Sequence, residues 1–256
     1  MIAVLSPAKT LDFSSPLPLN ISMQHPIFAE KSVPIVNELQ KLGIEELQNL
    51  MDISPELAEL NLQRYRVWKN PPDAKNTHPA IYAFKGDVYV GLQAETFDMA
   101  QMNFAEKHLR ILSGLYGILR PSDLIQPYRL EMGTKLSVAN AKNLYDYWKN
   151  EVTEFLREEL SQHHTPILLN LASQEYFKVI DTKKLNFPII HIDFKEEKNG
   201  KYSTVGFFAK KARGMMARFI VENQLDNPED LKSFSSAHYR FNPALSDTIH
   251  WIFTRP

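Results

Sequence analysis

The strongest charge segregation in the chain lies between Lys198 and Val221, where Lys198, Lys201, Lys210, Lys211, Arg213 and Arg218 occur with no acid among them. A local cationic field of this kind attracts phosphate groups; the competing explanation is an ordinary solvated helix face. At 100° per residue Ala212, Met215, Met216 and Phe219 share one arc, opposite Lys210, Lys211, Arg213 and Arg218. Such a helix buries one face and presents a basic one. A second concentration runs from Arg120 to Lys135 (RPSDLIQPYRLEMGTK), a loop that two prolines stiffen. Arg120, Arg129 and Lys135 there can grip phosphate or carboxylate, or form an internal network with Asp123 and Glu131. Lys9, after a short apolar run, can place one more cation beside a cleft.

Other constellations are weaker. Lys9-Thr10 ends like a phosphate-binding loop, but the first glycine of the chain is Gly43, so no glycine-rich wrap exists for a nucleoside triphosphate. Asp52, Ile53 and Ser54 join two apolar helical patterns as in a helix-hairpin-helix, whose turn offers backbone N–H groups to a DNA phosphate. Such hairpins carry glycine where Asp52 and Ser54 stand, and Asp52, Glu56 and Glu59 repel phosphate, so a plain helical hairpin competes with that reading. Ser173 lacks a nucleophile-elbow context and reads as a helix cap. His163 and His164 point apart on a helix, and His191 with Asp193 gives only two ligands, so no metal site and no cofactor is expected.

These residues need a scaffold. Ile2 to Leu5 reads as a buried strand, and Lys31 to Trp68 as three helices broken at Gly43 and at Ser54-Pro55, an N-cap followed by N1. Ile81–Phe84 and Val88–Val90 read as a hairpin about Lys85-Gly86-Asp87. Leu144 to Leu160 is helical, Ile167 to Leu171 a strand, and Asn199-Gly200 the turn of a second hairpin. A helix over Ala209 to Asn223 and a half-buried closing strand over Thr248 to Arg255 follow. The expected fold class is α+β, or mixed α/β: a single compact domain over residues 1–256 with a mixed sheet and flanking helices.

With 256 residues, 44% hydrophobic and 23% charged, the chain has globular composition. No run approaches a membrane span and no leader precedes Pro7 and Lys9, so a cytoplasmic protein without a membrane partner is expected. The absence of cysteine excludes disulfides, thiolate-held metals and peroxide reduction through a thiol. A net charge of −1 gives no global pull toward polyanions, so any such site must come from local segregation.

Five blocks, Ser6 to Phe13 (SPAKTLDF), Ala83 to Phe97 (AFKGDVYVGLQAETF), Leu109 to Leu136, Asn170 to Phe177 (NLASQEYF) and Ala209 to Phe219 (AKKARGMMARF), together resemble the YaaA peroxide stress-resistance family. The resemblance implies a cytoplasmic protein of the peroxide response that limits iron-dependent oxidative damage. It further implies duplex DNA binding through a basic cleft and a helix-hairpin-helix. On this reading the protein is non-catalytic and largely indifferent to DNA sequence, with Lys9, Arg120, Arg129, Lys135, Lys210, Lys211, Arg213 and Arg218 as phosphate contacts. The alternative is an enzyme for a small phosphorylated or carboxylated substrate held by Lys9, Arg129, Glu131, Lys135, Ser173 and Tyr176. A third reading makes the basic helix a docking face for a protein partner that the sequence does not identify.

Overall fold

The computed structural model describes residues 1–18 and 21–256. Its strands are β1 (Ile2–Leu5), β2 (Thr10–Leu11), β3 (His78–Pro79), β4 (Phe84–Lys85), β5 (Leu109–Ser113), β6 (Gly117–Leu119), β7 (Leu124–Ile125), β8 (Leu168–Asn170), β9 (Ile189–Lys198), β10 (Lys201–Ser203), β11 (Arg240–Phe241) and β12 (His250–Arg255). The α-helices are α1 (Ala29–Gln40), α2 (Ile44–Met51), α3 (Pro55–Val67), α4 (Ala80–Ala83), α5 (Asp87–Leu92), α6 (Met99–His108), α7 (Leu144–Ser161), α8 (Gln174–Phe177), α9 (Thr182–Leu185) and α10 (Gly206–Glu222). The fold is mixed α/β, and among the described residues no helix is long and apolar enough to cross a membrane.

Eight strands form one sheet in the order β11-β12-β9-β8-β1-β5-β6, with β10 added to β9. β12, β9, β8, β1 and β5 run parallel to their neighbours, and β6 and β11 close the two ends antiparallel. Parallel strands are covered on both faces, so β1 (IAVL) is apolar at every position and buried throughout. The chain leaves β1 for β5 on one side and later returns to lay β8 on the other, in the register Ile2 to Leu168 and Val4 to Asn170. The winding therefore reverses between β1 and β8. In open α/β sheets the crevice outside the strand carboxyl ends at such a reversal is the usual ligand site.

The local signals hold where chemistry fixes them. Ser54 caps α3 by accepting a hydrogen bond from the Leu57 N–H, Pro55 takes the first helical position, and α7 buries Leu144, Trp148, Val152 and Phe155 at intervals of three or four. Asn199 and Gly200 both adopt positive φ, as a two-residue hairpin turn requires.

The expected hairpin over 81–90 is wrong. Residues 80–83 and 87–92 are the helices α4 and α5, and only Phe84–Lys85 is extended, pairing with Thr10–Leu11. The reason lies in tertiary packing: a Cβ on Gly91 would sit 2.1 Å from the Lys211 carbonyl oxygen, and one on Gly214 1.8 Å from that of Val88. Two glycines let α5 and α10 meet backbone to backbone, and that contact overrides the β-preference of Val88, Tyr89 and Val90. The closing strand is also more buried than its alternation suggests, because β12 lies inside the sheet between β9 and β11.

Candidate anion-binding cleft

Outside the carboxyl ends of β1 and β8 lies a cleft of about 490 Å³. Its cations come from four separate stretches of chain: Lys9 after β1, Lys85 at the end of β4, Arg129 after β7, and Lys210 with Arg213 on α10. Lys9, Lys85 and Lys210 are exposed or nearly so, whereas the side chains of Arg129 and Arg213 are each 17% exposed. Glu131 mediates between two of the cations, its Oε1 lying 2.8 Å from Lys9 Nζ and 3.7 Å from Arg129 Nη2. Arg213 Nη2 is 3.5 Å from Asp193 Oδ1, the acid of the His191-Asp193 pair on β9. Neither arginine is fully used: Nε of Arg129 and Nε of Arg213 are buried and donate to no acceptor among the described residues. A buried donor left unmet costs on the order of 1–3 kcal/mol, so such groups mark places arranged for something other than stability.

The surroundings hold these groups in position. The Tyr65 hydroxyl of α3 donates to the Arg129 carbonyl, which pins the arginine loop to that helix. Burial chiefly lowers the Arg64 guanidinium of α3 from its ordinary value, and the positive charge of Arg129 adds to the effect. At the floor, the Ser173 N–H donates to Ser6 Oγ at 2.9 Å and the Ser6 hydroxyl approaches Ser173 Oγ at 3.4 Å. This corrects the expectation of a capping role: Ser173 occupies the N-cap position of α8, but its hydroxyl makes no capping bond and instead meets the β1 loop.

Tyr89, Tyr128 and Tyr176 line the inner wall. Burial pushes all three phenols well above their ordinary range, so near neutral pH they are protonated hydrogen-bonding groups and not bases. Asp87 and Glu175 add acceptors, and Glu175 Oε1 is fixed by the Gly133 N–H at 3.0 Å. Among the described residues no histidine lines the cleft, so Ser6 and Ser173 have no imidazole to activate them. The arrangement is suited to binding an anion that also carries hydrogen-bond donors.

Of the residues singled out in the sequence, Lys9, Arg129, Glu131, Ser173, Tyr176, Lys210 and Arg213 meet in this cleft, and Lys135 and Lys211 lie outside its lining. Arg120 and Arg218 are elsewhere. Arg120 is held by Glu159 at 3.4 Å and lies over the Phe155 ring, pairing with Glu159 and not with an acid of its own loop. Arg218 donates to the carbonyls of Leu92 and Gln93 and to Thr96 Oγ1, and pairs with Glu222 at 2.7 Å, so it closes the end of α5. Ser6, Lys85, Asp87, Tyr89 and Glu175 were not singled out by spacing; their only signal was membership of the blocks carrying the family resemblance.

The turn Asp52-Ile53-Ser54 joins α2 to α3, but its donors are largely taken. The N–H groups of Asp52 and Ile53 both donate to the Gln48 carbonyl, and that of Leu57 donates to Ser54 Oγ. Asp52 also adopts a left-handed conformation, φ 51°, which suits glycine better than a residue with a Cβ. Replacing Asp52 with glycine is expected to raise stability by about 0.5–1 kcal/mol, read as an increased melting temperature. If the turn also touches phosphate, the same change strengthens duplex binding by removing a negative charge. An unchanged affinity assigns the turn a purely structural part.

A second cleft, of about 680 Å³, opens at the amino ends of the strands. There the Met1 ammonium lies 2.6 Å from Asp226 Oδ1 and 3.2 Å from His163 Nδ1, and His108 Nδ1 donates to the Met1 carbonyl at 2.8 Å. One ligand-capable atom from each of His108, His163 and Asp226 falls within 4.8 Å of the others, a cluster that no sequence spacing could reveal. Burial first, then the neighbouring ammonium and His108, holds His163 down at about 4, so its ring is neutral and accepts the ammonium's hydrogen bond.

A family model described as peroxide stress protein YaaA matches residues 1–245. Relatives named UPF0246 protein include one from Cellvibrio japonicus, 49% identical over 255 residues that cover 100% of this chain and 98% of its own. One from Hahella chejuensis is 48% identical, with 100% and 99% covered, and one from Idiomarina loihiensis is 47% identical, with 100% and 98% covered.

Proposed function

The chain belongs to the peroxide stress protein YaaA family, and from that premise we propose that it serves the peroxide response by binding duplex DNA, without catalysis and largely without regard to sequence, along the basic rim of its cleft. The observation that carries this reading is the convergence of five cations from four stretches of chain on one crevice, in a protein whose net charge is only −1. Segregation on that scale concentrates a positive field where phosphates can enter it. Lys9, Lys85 and Lys210 are the phosphate contacts. Protection then comes from occupying DNA, in keeping with a chain that has no cysteine to reduce peroxide.

The test is the affinity for a labelled duplex of about 30 base pairs at ionic strengths from about 50 to 200 mM. Each phosphate contact contributes a slope of about −0.9 in log K against log salt, so contacts by the three rim lysines give about −2.7. No binding at the lowest salt overturns the proposal. A second reading, a site for a small phosphorylated or carboxylated substrate, is favoured by one observation: the cleft volume lies within the roughly 300–1,000 Å³ of small-molecule sites.

A further inference from the structure

The rim lysines and the buried arginines cannot serve one ligand in the same way. Phosphates on the outside of an intact duplex reach exposed side chains such as Lys9 and Lys210. Arg129 and Arg213, with side chains only 17% exposed, present far less of their charge to an intact duplex than the rim lysines do. The interior is therefore arranged for something narrower.

Three observations define it. Arg129 and Arg213 line the cleft and offer guanidinium edges to a phosphate or carboxylate, and Glu131, lodged between Lys9 and Arg129, occupies the position of such an anion from within the chain. The acids Asp87 and Glu175 also face the cleft, and a site for a bare anion gains nothing from them. Asp87 pairs with no cation among the described residues, so it remains an acceptor for hydroxyl or amino groups. Finally, Tyr89, Tyr128, Tyr176, Val88 and Leu171 give the inner wall aromatic and apolar surface, which suits a planar ring.

We infer that the interior of the cleft accommodates a single phosphorylated nucleoside, its phosphate on Lys9, Arg129 and Arg213, its donors on Asp87 and Glu175, and its ring along the tyrosine wall. The unit is either a free nucleoside monophosphate or one nucleotide turned out of a strand. The inference rests on the cleft being an anion site, as proposed above, but not on its affinity for an intact duplex. An extruded nucleotide requires unstacking, which is least costly at a mismatch or lesion.

The test has two arms on the full chain. In the first, deoxyadenosine 5′-monophosphate, inorganic phosphate and deoxyadenosine are titrated separately and followed by calorimetry and melting temperature. The monophosphate is expected to bind at least about tenfold more tightly than either fragment, because only it fills both halves of the site. In the second arm a duplex carries 2-aminopurine at a mismatch, and its fluorescence is expected to rise on binding if the base leaves the stack. A response in the first arm alone identifies the free nucleotide as the ligand, and one in the second alone identifies the extruded one. Either supports the inference. Equal binding of inorganic phosphate and monophosphate, or silence in both arms, overturns it, and duplex affinity surviving that silence leaves the proposed function standing. Arg129→Gln is expected to lose at least about tenfold of the monophosphate affinity. Should that variant fold poorly, Asp87→Asn, at the half-buried start of α5, must still weaken the monophosphate while leaving inorganic phosphate unchanged.

Discussion

Reversing Lys9, Lys85 and Lys210 to glutamate together is expected to reduce duplex affinity about a hundredfold at physiological salt, with little change in melting temperature. The size follows from counterion release: at about 0.15 M salt each phosphate contact is worth roughly 0.7 of a decade in affinity, and three contacts give about two decades. The salt slope should shrink by about 2.7 at the same time, a signature that loss of fold does not mimic. The three lysines are the right choice because their charge is accessible: Lys9 is 61% and Lys85 42% exposed, and Lys210 lies on the outer face of α10. Their only ionic partners among the described residues are Glu131 at 2.8 Å and Asp12 at 4.0 Å, exposed or half-buried pairs that contribute about 1 kcal/mol or less. Binding by fluorescence anisotropy, with circular dichroism as the folding control, measures both. An affinity and slope equal to the parent chain's would remove this rim from the interface.

Charge reading alone selects a different variant. In the sequence Lys210, Lys211, Arg213 and Arg218 form one basic face, and Lys210, Lys211 and Arg213 invite reversal. In the folded chain Arg213 is 17% exposed beside Asp193, so a glutamate there would set two carboxylates against each other and mix a loss of stability with any loss of binding. Arg218 is spent on the carbonyls at the end of α5. A run of like charge states that cations are present; only tertiary structure states which of them face solvent.

The same division runs through the fold. Signals enforced by local stereochemistry were legible: Ser54-Pro55 starts a helix and Asn199-Gly200 turns a hairpin whatever surrounds them. Signals decided by distant packing were not. Val88-Tyr89-Val90 favours a strand until Gly91 and Gly214 bring two helix backbones together. Lys85, Asp87 and Glu175 become a site only because the winding reverses between β1 and β8, a property of strand order that no single segment carries. Lys9, Arg129 and Glu131 stood out beforehand as charged residues in loops that follow apolar runs, the last two in a loop stiffened by prolines, whereas Ser173 read as a helix cap.

A different buried charge yields the largest stability effect: Asp123→Asn is expected to stabilise the protein at pH 8 and to leave it unchanged near pH 4. Asp123 lies between β6 and β7, 1% exposed, with Oδ2 accepting the Arg120 N–H at 2.8 Å and Oδ1 meeting no donor among the described residues. Burial lifts its carboxyl to about 7, and the nearby Glu106 carboxylate pushes the same way. The unfolded chain ionises this group near pH 4, so between about 4 and 7 the folded state holds a proton that the unfolded state has released. Stability therefore falls as pH rises through that window, and the whole penalty is in place above pH 7. Its size is on the order of 4 kcal/mol at most, about three pK units at roughly 1.4 kcal/mol each. Asparagine keeps the shape and the acceptor for the Arg120 N–H but has nothing to ionise, so it escapes the penalty. The gap in melting temperature between variant and parent should open from near zero at pH 4 to several degrees, and at most about 15 °C, at pH 8. A gap of constant size across that range would mean that Asp123 is already ionised in the folded chain at low pH, and that Arg120 and Arg110, not burial, set its charge.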